Sequence, residues 1–135
     1  MRTRIAAVAM VAAGITGLVA APAVAATATS GTDTAVCATV LNQPCVSHQI
    51  DGQGIVGIAQ VSADPGQLTM VRVEIRSQAA WGSPWETVTS ATTVQFGSAK
   101  ATTARVAVSG PRMICATAGP AMDVSKQTTT CTNPF

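Results

Sequence analysis

The ten residues 68–77 constrain the fold of this chain more than any other stretch. Thr69, Val71, Val73 and Ile75 alternate with more polar residues, among them Arg72, Glu74 and Arg76. Because successive side chains of a β-strand point to opposite faces, this pattern predicts a strand with one buried and one solvated face. A sheet of that kind is typical of antiparallel structures, and Glu74, between two arginines, is expected on the solvated face.

Further short strands are predicted on both sides of this one, separated by turn signals. A hairpin is expected from residues 46–50 and 55–61, and a strong turn from residues 63–66. Residues 85–91 and 92–96 predict one long or two short strands. After a turn at 97–100, residues 101–108 predict an alternating strand, with Ala104, Val106 and Val108 inward and Arg105 outward. The remaining predicted strands are residues 36–41, 112–118 and an edge strand at 127–132.

Seven or eight short strands at this spacing predict an all-β domain. The leading architecture is a small antiparallel β-sandwich with an immunoglobulin-like arrangement. Composition supports it, since residues 26–135 contain twelve Val and seventeen Thr but only two Leu. β-Branched residues suit a pleated surface and lose rotamer freedom in a helix.

The four cysteines, Cys37, Cys45, Cys115 and Cys131, predict two disulfides. The favoured pairing is local, Cys37–Cys45 and Cys115–Cys131, because residues 42–44 form a plausible turn. The alternative connectivity joins Cys37 to Cys131 and Cys45 to Cys115. Neither spacing resembles a zinc knuckle, and the chain has one histidine, so no metal and no cofactor are expected.

The first 25 residues have the layout of a secretory signal peptide. Arg2 and Arg4 precede an uncharged run at residues 5–19, and Ala23-Val24-Ala25 fits the signal-peptidase pattern. The run is shorter than the ~20 residues of a membrane-spanning helix. We therefore expect cleavage before Ala26, a flexible tail at 26–35, a single domain at 36–135, and a secreted protein with no membrane attachment. The Ala-, Thr- and Val-rich composition with few lysines indicates a bacterial origin.

The charge balance argues against a nucleic-acid partner. Two of the eight Lys and Arg residues lie in the predicted leader, so six remain against six Asp and Glu. A chain without net charge lacks the electrostatic footprint of a nucleic-acid binder, so no nucleic-acid partner is expected.

No catalytic constellation stands out, and the protein is predicted not to be an enzyme. His48 is the only histidine, and we expect it on the surface of a half-exposed strand, where its side chain points away from that of Ser47. A hydrolytic triad needs these groups to converge with an oxyanion site. No pair of the six carboxylates suggests a glycosidase.

The two tryptophans, Trp81 and Trp85, are the candidate binding residues. They flank a Gly-Ser-Pro turn. The only other Phe, Tyr or Trp residues in the sequence are Phe96 and Phe135. Exposed rings at a chain reversal offer a platform for a sugar ring or a partner's groove. The competing interpretation is that the rings, Trp85 above all, fill the core.

The sequence therefore predicts a secreted, non-catalytic β domain that acts by binding an extracellular protein or glycan. Cell-wall components and polysaccharides are among the expected targets, and inhibition of a secreted enzyme is one form that such binding takes. The alternative is a structural or surface-assembly protein of the cell envelope, whose Thr-rich strands associate edge to edge.

Overall fold

A computed structural model describes residues 31–33 and 40–135 of the chain. These residues form eight β-strands and one 3₁₀ turn, Val124–Lys126, with no α-helix among them. The strands are β1 (Gly31–Asp33), β2 (Cys45–Asp51), β3 (Gly54–Val61), β4 (Leu68–Ser77), β5 (Glu86–Phe96), β6 (Ala99–Thr102), β7 (Arg112–Pro120) and β8 (Thr128–Cys131). The all-β prediction is confirmed.

The strands make two four-stranded sheets whose inner faces bury one core. The first sheet has the order β1-β2-β3-β6 and the second the order β5-β4-β7-β8, and all pairings between these strands are antiparallel. Both sheets contribute to the core, which contains Val46, Ile55, Ala59, Val61, Ala99 and Ala101 from the first and Val71, Val73, Ile75, Ile114, Ala116 and Ala118 from the second. Small and β-branched side chains dominate this core, as expected for a chain with few Leu and Phe residues.

The strand predicted from strict alternation is found at the predicted bounds. β4 spans Leu68–Ser77 between β5 and β7, and Thr69, Val71, Val73 and Ile75 are all fully buried. The prediction for the opposite face is wrong at Glu74, which is only 9% exposed. Arg72 and Arg76 cover its carboxylate at 2.6 Å on either side, and this double ion pair compensates the loss of hydration.

The predicted hairpin of β2 and β3 is confirmed. Asp51 pairs with Gly54 across a two-residue turn, in which the amide of Gln53 donates to the carboxylate of Asp51 at 2.9 Å. Asx side chains commonly close turns in this way. The turn predicted at residues 63–66 is also present, and the amide of Gln67 donates to the carbonyl of Asp64 at 2.9 Å.

The predicted strand at residues 101–108 is wrong in extent, and its predicted orientation is wrong at Ala104. β6 ends at Thr102, and pairing with β3 resumes only as an isolated bridge between Val106 and Ile55. Thr102 lies opposite Ile58, so the return at Val106 leaves one extra residue on this side of the pairing.

One extra residue reverses which side chains face inward. Ala101 and Thr103 are buried before the irregularity, whereas Ala104, predicted inward, is exposed. Val106 and Val108 pack against the core beyond it, as predicted. The irregularity is held by Thr103, whose amide donates to Gly57 O and whose hydroxyl accepts from Gly57 N, both at 2.9 Å.

The amino-terminal predictions are tested only in part. Gly31–Asp33, inside the segment predicted as a tail, forms β1 and pairs with β2, so this part of the prediction is wrong. The rest of residues 26–35 and residues 36–39 of the predicted first strand lie outside the described residues. Leu41, the last residue of that predicted strand, forms an isolated bridge with Ser62.

One of the two predicted disulfides is observed. Cys115 of β7 and Cys131 of β8 lie directly opposite each other and are bonded, which excludes the alternative connectivity. Cys37 lies outside the described residues, so its pairing with Cys45 stays a prediction. No cysteine among the described residues is free.

Candidate functional site

The two tryptophans lie on the connection between β4 and β5, residues 78–85. The structure exposes Trp81, with 73% of its surface accessible, whereas Trp85 is half-buried at the start of β5. The two rings therefore have different surroundings. The Trp81 ring lies mostly in solvent, whereas part of the Trp85 side chain is packed against the protein and part is exposed.

Hydrogen bonds hold this loop in place. The backbone amide of Gln78 donates to the carbonyl of Pro111 at 2.9 Å, which ties the loop to the start of β7. The Gln78 side chain is buried, and its amide nitrogen donates to the carbonyl of Ser83 across the loop. The amide of Ser83 donates to Ala80 at 3.1 Å. The segment carrying Trp81 is therefore closed on itself and fixed to the sheet.

Two glycines allow this geometry. Gly110 has φ +84°, and a Cβ there would lie 2.8 Å from the carbonyl oxygen of Gln78, so only glycine lets the two chain segments approach so closely. Gly82, directly after Trp81, has φ +89° and open space around it. The backbone next to Trp81 is therefore open to solvent at Gly82.

The surroundings of Trp81 are uncharged. Residues 77–85 contain Ser, Gln, Ala, Gly, Pro and Trp but no ionisable side chain, and Ala79 and Ala80 are exposed beside the ring. An exposed indole in a neutral setting is suited to contact with apolar or sugar surfaces and can donate one hydrogen bond from its Nε1. Nothing in this segment supplies a nucleophile with an adjacent base.

A second site lies around His48, where the sequence-based expectation is wrong. His48 is buried, with 8% exposure, and its ring stacks on Phe135 with centroids 4.6 Å apart. The guanidinium of Arg112 lies 5.3 Å from the centre of the Phe135 ring, within the range of a cation–π contact. A cavity of about 510 Å³ adjoins this stack, lined in part by Val46, Thr130, Thr132 and Pro134. Residues so distant in sequence gave no local signal of this contact.

The described carboxylates are distributed over separate structural roles. Asp51 pairs with Arg105 at 2.7 Å, and Glu74 with its two arginines. Asp123 accepts a hydrogen bond from Ser125, and this bond, followed by that from Lys126, holds the pKa of the Asp123 carboxyl below its usual value. Within residues 31–33 and 40–135, no group of three or more His, Cys, Asp or Glu side chains is placed to hold a metal ion.

Comparison with known proteins adds no assignment to this geometry. No protein-family model, no curated protein and no solved structure matches the chain. In the part of the chain that the structure describes, no helix has the length and apolar character needed to cross a membrane.

Proposed function

We propose that the protein is a secreted, non-catalytic binding domain whose main contact residue is Trp81. The observation that carries the proposal is the 73% exposure of this ring on a loop fixed by hydrogen bonds. Large aromatic side chains are usually mostly buried. An exposed tryptophan in a domain with so few aromatic residues is better explained by binding than by folding.

The fixed loop favours binding for an energetic reason. A flexible loop loses conformational freedom when a partner orders it, at about 0.5–1.5 kcal/mol for each immobilised side chain. The hydrogen bonds of Gln78 and Ser83 already order the loop backbone in the free protein, so binding has less of the loop left to order. Rigid aromatic anchors of this kind are typical binding hot spots.

The partner class follows from the shape and charge of the loop. A neutral, projecting ring fits an apolar cleft of an extracellular protein, such as a secreted enzyme, or the face of an uncharged sugar. It offers nothing specific to a polyanion. Trp85, being half-buried, supports the loop and adds a smaller part of the contact area.

The proposal includes the finer architecture and the export of the domain. We infer a sandwich of immunoglobulin-like arrangement, because the order β4-β7-β8 with β3 and β6 adjacent in the other sheet corresponds to the C-F-G and B-E neighbours of that fold. The second disulfide, Cys37–Cys45, and the signal peptide, residues 1–25, belong to the same proposal. Amino-terminal sequencing of secreted protein should begin at or near Ala26, and full-length chain in the membrane fraction would contradict export.

Paired variants test the binding surface. Purified exported protein is titrated with soluble cell-wall fragments and neutral polysaccharides, and a partner captured from spent medium is identified and then titrated in purified form. We expect Trp81→Ala to weaken binding by about 2 kcal/mol or more, roughly thirtyfold. Met122→Ala is the matched control, because Met122 is a comparably exposed apolar side chain (87%) outside this loop.

Two outcomes would contradict the proposal. If Trp81→Ala unfolds the domain as badly as Trp85→Ala, the Trp81 ring supports the fold rather than a partner. If Trp81→Ala and Met122→Ala leave an identified interaction equally intact, the contact surface lies elsewhere.

A further inference from the structure

Strand β5 presents a long open edge. It has eleven residues and lies at the end of its sheet, paired with β4 on one side and, among the described residues, with no strand on the other. The other edge strands are shorter, with three residues in β1 and four each in β6 and β8. Unpaired N–H and C=O groups along a long edge are a template for another strand.

The usual protection of an edge strand is nearly absent from β5. Proteins block such edges with Lys, Pro, bulges or very short strands. β5 contains neither Lys nor Pro, whereas the short β6 carries Lys100. One irregularity in the pairing with β4 leaves Val88 as an extra residue near the start of the strand, and residues 89–96 are regular beyond it.

The ladder with β4 identifies which residues face the open edge. The amide of Gly97 donates to Gln67 O at 2.9 Å, and in this register the odd-numbered residues of β5 form the hydrogen-bonded pairs with β4. Because hydrogen-bonding direction alternates along a strand, the even-numbered residues direct their amides and carbonyls outward. These residues are Ser90, Thr92, Val94 and Phe96. Val94 and Phe96 are 53% and 69% exposed.

We propose that β5 pairs with β5 of a second copy of this chain. The two strands run antiparallel about a two-fold axis at Thr92, so that two four-stranded sheets join into one of eight strands. In this register Ser90 of each copy lies opposite Val94 of the other, and Val88 lies opposite Phe96. Each contact occurs twice, as required of an isologous interface.

Exposure and charge support a second copy as the occupant. The pairing places Phe96 of each copy beside Val88 of the other, two apolar side chains that the isolated chain leaves in water, since Val88 is also 42% exposed. Glu86 is the only charged residue of β5, and the two copies of Glu86 lie at opposite ends of the pairing. Outside the predicted leader, acidic and basic residues are equal in number, so long-range repulsion is small.

The association is weak and reversible, because an edge-to-edge contact buries less than the roughly 1,000 Å² typical of stable interfaces. It is independent of the function proposed for Trp81, which lies outside β5. Sedimentation equilibrium of the exported protein up to about 1 mM, where even a millimolar dimer is substantially populated, is the direct test. The expected result is a monomer–dimer equilibrium.

Substitutions at the proposed axis make the test specific. Thr92→Lys brings two like charges together across the axis, and we expect the dimer to weaken by at least about tenfold. Thr92→Glu alone has the same effect, whereas an equimolar mixture of Thr92→Lys and Thr92→Glu restores dimerisation. Thr129→Lys is the matched control, placing the same charge on an exposed position of β8, at the opposite edge of the sheet, without weakening the dimer.

Hydrogen exchange keeps the test decisive if a variant folds poorly. In the wild-type protein, exchange of the Ser90, Thr92, Val94 and Phe96 amides should slow as concentration rises. A wild-type protein that stays monomeric to about 1 mM overturns the proposal, whether another segment of its own chain covers β5 or the edge stays open. Association that Thr92→Lys leaves unchanged, or that the mixture does not restore, also overturns it.

Discussion

Gly57 is expected to control how closely the two sheets pack. It lies in β3 with its Cα facing the other sheet, where a Cβ would be 3.1 Å from Ile114 Cγ2, 3.2 Å from Val73 Cγ2 and 3.3 Å from Ile75 Cγ1. All three neighbours are fully buried in the central strands β4 and β7. Because these contacts are closer than ordinary van der Waals distance and the neighbours are buried, Gly57→Ala should overpack the core.

The magnitude follows from two opposing effects. Inserting a methyl group into a packed core costs about 1–3 kcal/mol. Removing the conformational freedom of glycine from the unfolded chain returns about 0.5–1 kcal/mol. We therefore expect Gly57→Ala to lower the free energy of unfolding by about 1 kcal/mol, which corresponds to a fall in Tm of about 4–8 °C for a domain of this size.

Urea unfolding followed by tryptophan fluorescence measures this change. Gly52→Ala is the control, because a Cβ at Gly52 would meet no atom within 4 Å, and its stability should stay within about 0.5 kcal/mol of wild type. Ile114→Ala should cost about 2–5 kcal/mol alone. The cost should be smaller in the Gly57→Ala background, where the new methyl group fills part of the cavity. Equal stability of Gly57→Ala and Gly52→Ala, or strict additivity with Ile114→Ala, would refute the packing argument.

Three further predictions concern the disulfide, the loop and acid stability. Replacing both Cys115 and Cys131 with alanine should lower the free energy of unfolding by about 2–3 kcal/mol in denaturant titrations, because a loop of this length loses its constraint in the unfolded chain. Gly110→Ala should lower the free energy of unfolding by more than about 1 kcal/mol, because Gly110 has a positive φ and lies close to the loop that carries Trp81. The same substitution should weaken binding at that loop. Unchanged binding would show that the position of Gly110 does not matter there. Since the pKa of Asp123 is lowered in the fold, its stabilising contribution is present above the unfolded-state pKa and is lost as pH falls through the folded-state value. Asp123→Asn should therefore differ from wild type in unfolding experiments at neutral pH but not in strong acid, and a difference independent of pH would contradict this assignment.

Local sequence patterns were sufficient where a residue's surroundings depend on its near neighbours. The alternation in residues 68–77 predicted β4 at its observed bounds, and turn residues predicted the β2–β3 hairpin. The Cys115–Cys131 bond was also predictable, because a short hairpin brings these two residues opposite each other. Alternation, turn chemistry and short loop closure all act within a few residues to a few tens of residues.

The candidate site was predictable in position but not in detail. The grouping of Trp81 and Trp85 around a turn marked the loop, and the sequence left open which ring was exposed. That depends on Gln78 and on the approach of Gly110, which comes from the β6–β7 connection. Contacts of this kind are not encoded near the tryptophans themselves.

Local sequence patterns specify an all-β chain, the strand β4 and the Cys115–Cys131 disulfide. Three outcomes depend on tertiary contacts: His48 is buried against Phe135, Glu74 is covered by two arginines, and Ala104 is exposed because the inward face changes from odd- to even-numbered residues only beyond it. The physical reason is that burial depends on which strands become neighbours and in which register. A shift of one residue reverses every side chain beyond it, and the partner that fixes the register lies far away along the chain.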